Sequence, residues 1–330
     1  MENTYIENNN TEKYEKALKS DKLISRETKR LVFYIVMIAL PIFQFCLCYI
    51  YVNFNSIRMS FYEYDAIAMG YQFVGLKYFG KAWAVFTAGG DMILNSLKLY
   101  ACNLVIVLGM ALVFSYYIAK KYALSKFFRT ILYLPHVVSG VVLTMLYRYV
   151  VTDVYGVLWG DNAVKDGLLY NEQTQYLTVL FYNIWLGFGT NVMLFTGSMS
   201  GIDGSIIESA QLDGVNIVQE FIHISIPMIW PTFVTFVVVG IAGIFTNNMH
   251  LYTFFGSSGA VYKQNQVFGY YMFVQTQNTN KNGGFQYLDV KSDIGGFPGL
   301  SALGLIMTFI LVPVTLTVKK LLTKYGPRTD

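Results

Sequence analysis

The sequence predicts an all-α membrane protein with six transmembrane helices and both termini in the cytoplasm. Three observations lead there. Of the 330 residues 54% are hydrophobic and 17% aromatic, but only 13% are charged, against about a quarter charged in an ordinary soluble domain. The apolar residues collect in six runs, 31–52, 96–118, 131–151, 176–199, 232–252 and 300–318, each near the ~20 residues a helix needs to cross hydrocarbon. The basic residues favour one side of these runs. Lys13, Lys16, Lys19, Lys22, Arg26, Lys29, Arg30, Lys120, Lys121, Lys126, Arg129, Lys319, Lys320, Lys324 and Arg328 fall on the side assigned to the cytoplasm. Arg58, Lys77, Lys81, Lys165, Lys263, Lys281 and Lys291 fall on the other. This is the positive-inside bias. A net charge of +4 placed in this way sets orientation in a lipid membrane and gives no footprint for nucleic acid.

Residues 1–30 read as a solvated cytoplasmic tail, and 31–330 as the membrane domain. The tail is too long and too acidic to begin a cleaved signal peptide, and the run 31–52 is too long for its core. It is a retained first span in which Pro41 is tolerated as a kink. Residues 53–95 form a polar segment rich in Tyr, Phe and Gly. Within it, Gly75–Ala82 (GLKYFGKA) imitates a phosphate loop, but Ala82 cannot ligate magnesium and no apolar strand precedes it, so it is not a nucleotide site. The second and third spans are separated by the short basic loop 119–130. Cys46, Cys48 and Cys102 all lie inside spans and read as small apolar residues; no further Cys or His completes a metal site around the Cys46-x-Cys48 pair. His136 reads as a packed or interfacial residue. Residues 152–175 are polar, and 253–298 form a long polar stretch in which Phe268, Tyr270, Tyr271 and Phe273 extend a span or lie at the interface.

The stretch 201–231 between the fourth and fifth spans is a polar island with two helix signals. Ser205 with Glu208 three positions on has the S-x-x-E form of a capping box, and Asp213-Gly214 supplies the residue that can close a helix in the left-handed conformation. Asn216 with Gln219 then starts a second helix, which Pro227 disturbs. The loop contains no Lys or Arg, only Asp203, Glu208, Asp213 and Glu220. That composition suggests a partner with basic residues in its groove.

The spacing Glu208-Ser209-Ala210, three residues, Gly214, nine residues, Ile224-Ser225-Ile226-Pro227 resembles the EAA signature (E-A-A-x3-G-x9-I-x-L-P) of the membrane subunits of binding-protein-dependent ABC importers. Asp213, Phe221 and Pro231 bring it closest to the carbohydrate branch, of the maltose and glycerol-phosphate type. Ser209 replaces Ala and Ile226 replaces Leu, one small residue for another and one aliphatic for another. FVGLKYFGKAW at 73–83 and FFRTILYLPHVVSGVVLTMLYRY at 127–149 are similar to further segments of that branch, although Lys77 and Phe79 depart from its pattern. The resemblance implies a type I ABC importer permease fold in the bacterial cytoplasmic membrane. It makes the first short helix of the loop a coupling helix seated in a groove of a separate ATPase subunit, with Ser205, Glu208, Ser209, Ala210, Asp213, Gly214, Ile224 and Pro227 as the coupling residues. The implied partners are a second homologous permease subunit, two ATPase subunits carrying the ATP and magnesium, and an extracytoplasmic solute-binding protein. This chain itself is expected to bind no cofactor or metal and to catalyse no reaction, and oligosaccharide is the expected cargo.

Amides in lipid-embedded helices are candidates for a polar pathway. Asn183, Thr190 and Asn191 share one broad face of the fourth span with Trp185 nearby, and Asn247 and Asn248 do likewise in the fifth. Sugars are held by amides for their hydroxyls and by aromatic faces for their C–H surfaces. Interhelical hydrogen bonding is the other use of such residues. A membrane enzyme lacks support, since the spans hold no paired carboxylates, no H-E-x-x-H and no Ser beside a base. A permease of the same architecture for a non-sugar solute and a secondary transporter remain as alternatives, the latter with few buried acids and no visible inverted repeat.

Overall fold

The computed structural model describes residues 26–65, 69–160, 167–256, 260–281 and 294–327; most of the tail 1–30 lies outside them. The chain divides into two compact units, residues 1–58 and 59–330. The first is built on α1 (Glu27–Met59), which includes Pro41 and a π-helical segment at Cys46–Tyr51. Its polar end satisfies itself along the helix: Asn53 donates to the Tyr49 carbonyl at 2.6 Å and Ser56 to that of Val52 at 3.0 Å.

The second unit opens on a short hairpin in an otherwise helical fold. Tyr62–Asp65 (β1) and Gly70–Phe73 (β2) pair antiparallel with Tyr62 opposite Phe73 and Tyr64 opposite Tyr71. The two aromatic pairs meet edge to face at 5.5 and 5.4 Å, the kind of cross-strand contact that holds a short hairpin. The phosphate-loop imitation runs from a turn at Gly75 into helix α2 (Lys77–Ala88), which buries Tyr78 and Ala82. α3 (Gly90–Ala119) is a 30-residue span containing a π-segment at Asn103–Val107.

The expected third span, 131–151, is not one helix. α4 (Ser125–Val137) ends where Val138 turns extended, and α5 (Gly140–Trp159) starts after Ser139. Hydropathy runs straight through this break because Val137 and Val138 are apolar, whereas Pro135 and the Ser139-Gly140 pair make the backbone turn there. α6 (Gln175–Ser200) follows, then α7 (Gly204–Leu212), α8 (Ile217–Met228) and α9 (Trp230–Ala242).

The expected fifth span, 232–252, also changes. α9 stops at Ala242 because Gly243 follows, and Asn247 and Asn248 then form Asx turns, accepting from the Met249 and His250 backbone N–H at 2.9 and 3.0 Å. Its apolar length lies on the other side of a 67° bend at Ile229, where α8 and α9 together make one broken span. α10 (Leu251–Phe255), a 3-10 turn at Lys263–Asn265, α11 (Phe268–Lys281) and α12 (Gly296–Tyr325) complete the chain. α11 occupies part of what reads in sequence as a long polar stretch. Among the described residues five helices are long and apolar enough to cross a membrane, six with the broken pair.

α6 runs through the centre. On one side it contributes Phe188, Val192, Phe195 and Met199 to a core shared with α2, α3, α9 and α12. On the other, Val179, Leu180 and Tyr182 pack with α5, α10 and α11. Ser115 on α3 donates to the Val192 carbonyl at 2.8 Å. Gly189 lies so close to α4 that a Cβ there would stand 2.0 Å from the Leu132 carbonyl oxygen. The 3-10 turn is strapped to the ends of α3 and α6. Asn95 donates to the Gln264 and Gln266 carbonyls, and fully buried Gln175 donates to those of Leu169 and Ala260 while accepting from the Tyr262 N–H.

Candidate functional site

Where α3, α6 and α9 converge they line a half-open cavity of about 360 Å³, within the range of small-ligand sites. α3 contributes Ser96, Tyr100 and Asn103, α6 contributes Asn191, α9 contributes Phe236 and Gly240, and the turn after α9 contributes Thr246 and Asn247. None of the lining residues carries a formal charge.

The amides are held in fixed orientations with part of their bonding capacity unspent. Asn103 and Asn191 each donate one turn back along their own helix, to the Leu99 carbonyl at 3.0 Å and the Gly187 carbonyl at 2.9 Å. Among the described residues their side-chain oxygens have no donor. Asn247 is the complement: its oxygen accepts from the Met249 N–H, and its NH2 has no partner among the described residues. A ligand therefore meets two acceptors and a donor, with the rings of Tyr100 and Phe236 beside them. Two glycines set the dimensions. A Cβ on Gly240 would come within 2.8 Å of the Tyr100 ring, and one on Gly269 of α11 within 2.3 Å of the Asn247 carbonyl oxygen.

Of the six residues singled out as pathway candidates, the cavity thus gathers Asn191 and Asn247. The others have different surroundings. Asn183 donates to the Val179 and Met249 carbonyls, both at 2.9 Å, and so ties α6 to the turn before α10. Thr190 bonds the His136 Nε2 at 2.7 Å, a ring nitrogen that also lies 2.9 Å from the Leu186 carbonyl oxygen, so both residues belong to the α4–α6 contact. Trp185 packs edge-on to Tyr182, and Asn248 caps its own turn. Asn103, Ser96 and Thr246 were not among the candidates. Asn103 could have been found, because it is an amide in an apolar run and meets the same criterion as Asn191.

The loop between the fourth and fifth spans holds α7 outward by its two ends. Its N-cap is Asp203, whose carboxylate accepts from the Ser205 N–H at 3.0 Å. The expected Ser205–Glu208 box does not form, because the helix begins one residue before Ser205. The Ser205 backbone N–H, and then its hydroxyl, hold the Asp203 carboxyl below its ordinary pKa. At the other end Gly214 takes φ +79°. Its N–H donates to the Gln211 carbonyl and that of Val215 to the Ala210 carbonyl, each at 3.1 Å, which closes the helix as a Schellman motif. The Asn216–Gln219 capping box forms as expected. Between these ends Ser205, Glu208 and Ser209 are exposed, as are Asp213 and Gly214 just beyond, and Ala210 alone is buried in α7. Ile224 and Pro227 are half-buried in α8. Leu212 is 89% exposed, and Ile206, Ile217, Val218 and Ile222 of the same loop are exposed as well, more apolar surface than an otherwise polar loop would present without a use for it. Glu220 departs from the acidic character read in the sequence: it is buried and paired with Lys120 of the residue following α3.

Residues 105–330 match the family described as the inner membrane component of binding-protein-dependent transport systems. Among relatives, the probable ABC transporter permease protein YurN of Bacillus subtilis is 26% identical over 61% of this chain and 71% of its own. The polygalacturonan/rhamnogalacturonan transport system permease protein YteP of the same organism is 27% identical over 63% and 67%. Among solved structures, a chain of a bacterial ABC transporter involved in the import of the acidic polysaccharide alginate superposes with a TM-score of 0.68 at 19% identity, covering 91% of this chain and 98% of that one. With its apolar helices, this multi-pass protein of the inner membrane has the permease fold and belongs to the binding-protein-dependent transport family of inner-membrane components.

Proposed function

We propose that the chain is one of two homologous permease subunits of an ATP-driven importer, that its cargo is a neutral oligosaccharide, and that the α3–α6–α9 cavity is its share of the pathway. The observation that carries this is the lining: amide donors and acceptors, hydroxyls and two aromatic rings, with no charged side chain. A neutral sugar matches that inventory, whereas a carboxylate or ammonium ion would lose its hydration there with no countercharge. The names of relatives such as the arabinooligosaccharide permease AraP support an oligosaccharide cargo, while its neutrality rests on the lining alone.

Both termini and α7 face the cytoplasm in this reading, in keeping with the positive-inside bias. α7 seats in a groove of an ATPase subunit through Ser205, Glu208, Ser209 and the exposed apolar residues around them, with Ala210 packed on its inner face and Asp213, Gly214, Ile224 and Pro227 fixing its exit. Two such ATPase subunits bind ATP and magnesium, and an extracytoplasmic solute-binding protein delivers the sugar. ATP-driven closure moves α7 and switches the spans between outward and inward access.

The test is uptake of labelled mono- and oligosaccharides, neutral and uronic, by cells with and without this chain, repeated with Asn191→Leu and Asn103→Leu. Loss of uptake of a neutral oligosaccharide on deletion, together with a raised half-saturation concentration in both variants, is expected. Dependence of a peptide, an amino acid or only uronic oligosaccharides on this chain would overturn the cargo assignment. Uptake sustained by an ion gradient after ATP depletion would overturn the ATP-driven mechanism.

A further inference from the structure

We infer that Lys120, Glu220 and Tyr116 form a latch that makes the first turn of α8 move with the end of α3, so that displacement of α7 reaches the cavity through α3 as well as through the broken span. This rests on the reading of α7 as the element an ATPase moves.

The loop after α6 is exposed almost throughout, yet Glu220 is 4% exposed. Its carboxylate is bound from α3 twice, by an ion pair with the Lys120 ammonium and by the Tyr116 hydroxyl, which donates at 3.1 Å. The same hydroxyl lies 3.4 Å from the Ile217 carbonyl oxygen, and the Tyr116 ring stands 5.0 Å from that of Phe221. The first turn of α8 is therefore gripped through backbone, carboxylate and ring. α7 joins that turn by a short link whose two ends are fixed, by the Gly214 closure and by the Asn216–Gln219 box. α3 carries Tyr116 near one end, with Lys120 just beyond it, and Ser96, Tyr100 and Asn103 on the cavity. At 1.5 Å per helical residue Asn103 and Tyr116 are about 20 Å apart along α3.

A buried ion pair adds little net stability compared with an apolar contact of the same volume, because both charges lose water. What it supplies is a single geometry. Apolar side chains on α3 and α8 could slide past one another, whereas a carboxylate gripped by an ammonium and a phenol has one seat. The pair joins residues a hundred positions apart and touches neither the cavity nor the exposed face of α7, so its role is to position both.

The test uses the assembled importer in proteoliposomes, reading sugar taken up per ATP hydrolysed. Lys120→Met and Glu220→Gln are expected to keep ATP hydrolysis and lower this ratio by at least about five-fold, the low end of coupling between sites. Lys120→Arg keeps it near wild type. The Lys120→Met, Glu220→Gln double variant, which leaves no unpaired charge, stays as uncoupled as the singles; a ratio restored to wild type in the double would show a merely structural pair and overturn the latch. An unchanged ratio in the single variants overturns it as well. Where Lys120→Met does not assemble, the ratio is read on Tyr116→Phe and Glu220→Gln, which preserve volume, and an unchanged ratio there is equally fatal. Gly214→Val serves as the control: if it leaves the ratio intact, the reading of α7 fails, whereas if it uncouples and the latch variants do not, the latch alone fails.

Discussion

Replacing Gly269 by Ala tests the cavity through the turn that α11 backs, the one that carries Thr246 and Asn247. The new Cβ would stand 2.3 Å from the Asn247 carbonyl oxygen, 2.4 Å from its carbon and 2.7 Å from the Thr246 carbonyl oxygen. All three are backbone atoms, so no rotamer change relieves the clash. Ordinary contact begins at 3.4 Å, so α11 and the turn at 246–247 must part by about 1 Å, an overpacking that costs about 1–3 kcal/mol. The displaced turn is the one that presents Asn247 to the cavity. The expected result is a lower thermal midpoint of the purified complex, read by fluorescence-detected size exclusion, together with weaker sugar uptake at equal surface amount. Gly304→Ala is the matched control. It lies in α12, where the nearest atom to a new Cβ is the Met272 methyl at 3.7 Å, and it should be neutral or gain up to about 1 kcal/mol from helix propensity. If Gly269→Ala behaved like Gly304→Ala in both assays, the packing of α11 against the Asn247 turn would be wrong, and with it the shape of the cavity.

Gly214→Val meets no atom within 4 Å but must adopt φ +79°, at a backbone cost of about 1–2 kcal/mol; uptake per ATP should fall while complex yield stays near wild type, as co-purification would show. Asp203→Ala removes the cap of α7 and should reduce uptake per ATP, whereas Asp203→Asn keeps an acceptor and most of the ratio. Because the Asp203 pKa is depressed in the folded state, the stability its carboxylate contributes is complete above the unfolded carboxyl pKa and is lost only as pH falls through the lower folded value. Hydrogen exchange of the α7 amides should therefore be insensitive to this group between pH 5 and 8, once corrected for the intrinsic pH dependence of exchange. Gln175→Leu leaves the Leu169 and Ala260 carbonyls and the Tyr262 N–H without their partner, at about 1–3 kcal/mol per buried orphan, and should lower the thermal midpoint sharply.

What the sequence showed and what it hid follow from the range of the forces involved. α6 is legible almost to the residue, 176–199 expected and Gln175–Ser200 found, because an uninterrupted apolar run between polar loops has one helical solution in lipid. α3 begins six residues earlier than its apolar run, since Gly90–Asn95 continue the helix with Asn95 tied to the neighbouring strap. The third and fifth runs misled because hydropathy is blind to φ and ψ; Pro135 with Ser139-Gly140, and Gly243 with Asn247-Asn248, were the local signals that the backbone turns. The hairpin at 62–73 was audible as alternating aromatics but was absorbed into a polar segment. In the loop, the Asn216–Gln219 box and the left-handed Gly214 are local features and were readable, while the competition between Asp203 and Ser205 for one cap was decided by where the helix starts. No local pattern could announce Lys120 with Glu220, a contact made only once α3 and α8 are packed.

The central claim is that α7 faces the cytoplasm and is covered there by a partner that hydrolyses ATP. Cys46, Cys48 and Cys102 are replaced by Ser, Leu212 at the exposed end of α7 is replaced by Cys, and membrane vesicles of both orientations are treated with a membrane-impermeant maleimide, with and without the ATPase subunits. The account predicts labelling only in inside-out vesicles, and protection when the ATPase subunits are bound. Labelling from the external face, or labelling from the internal face that the ATPase subunits do not diminish, would contradict it.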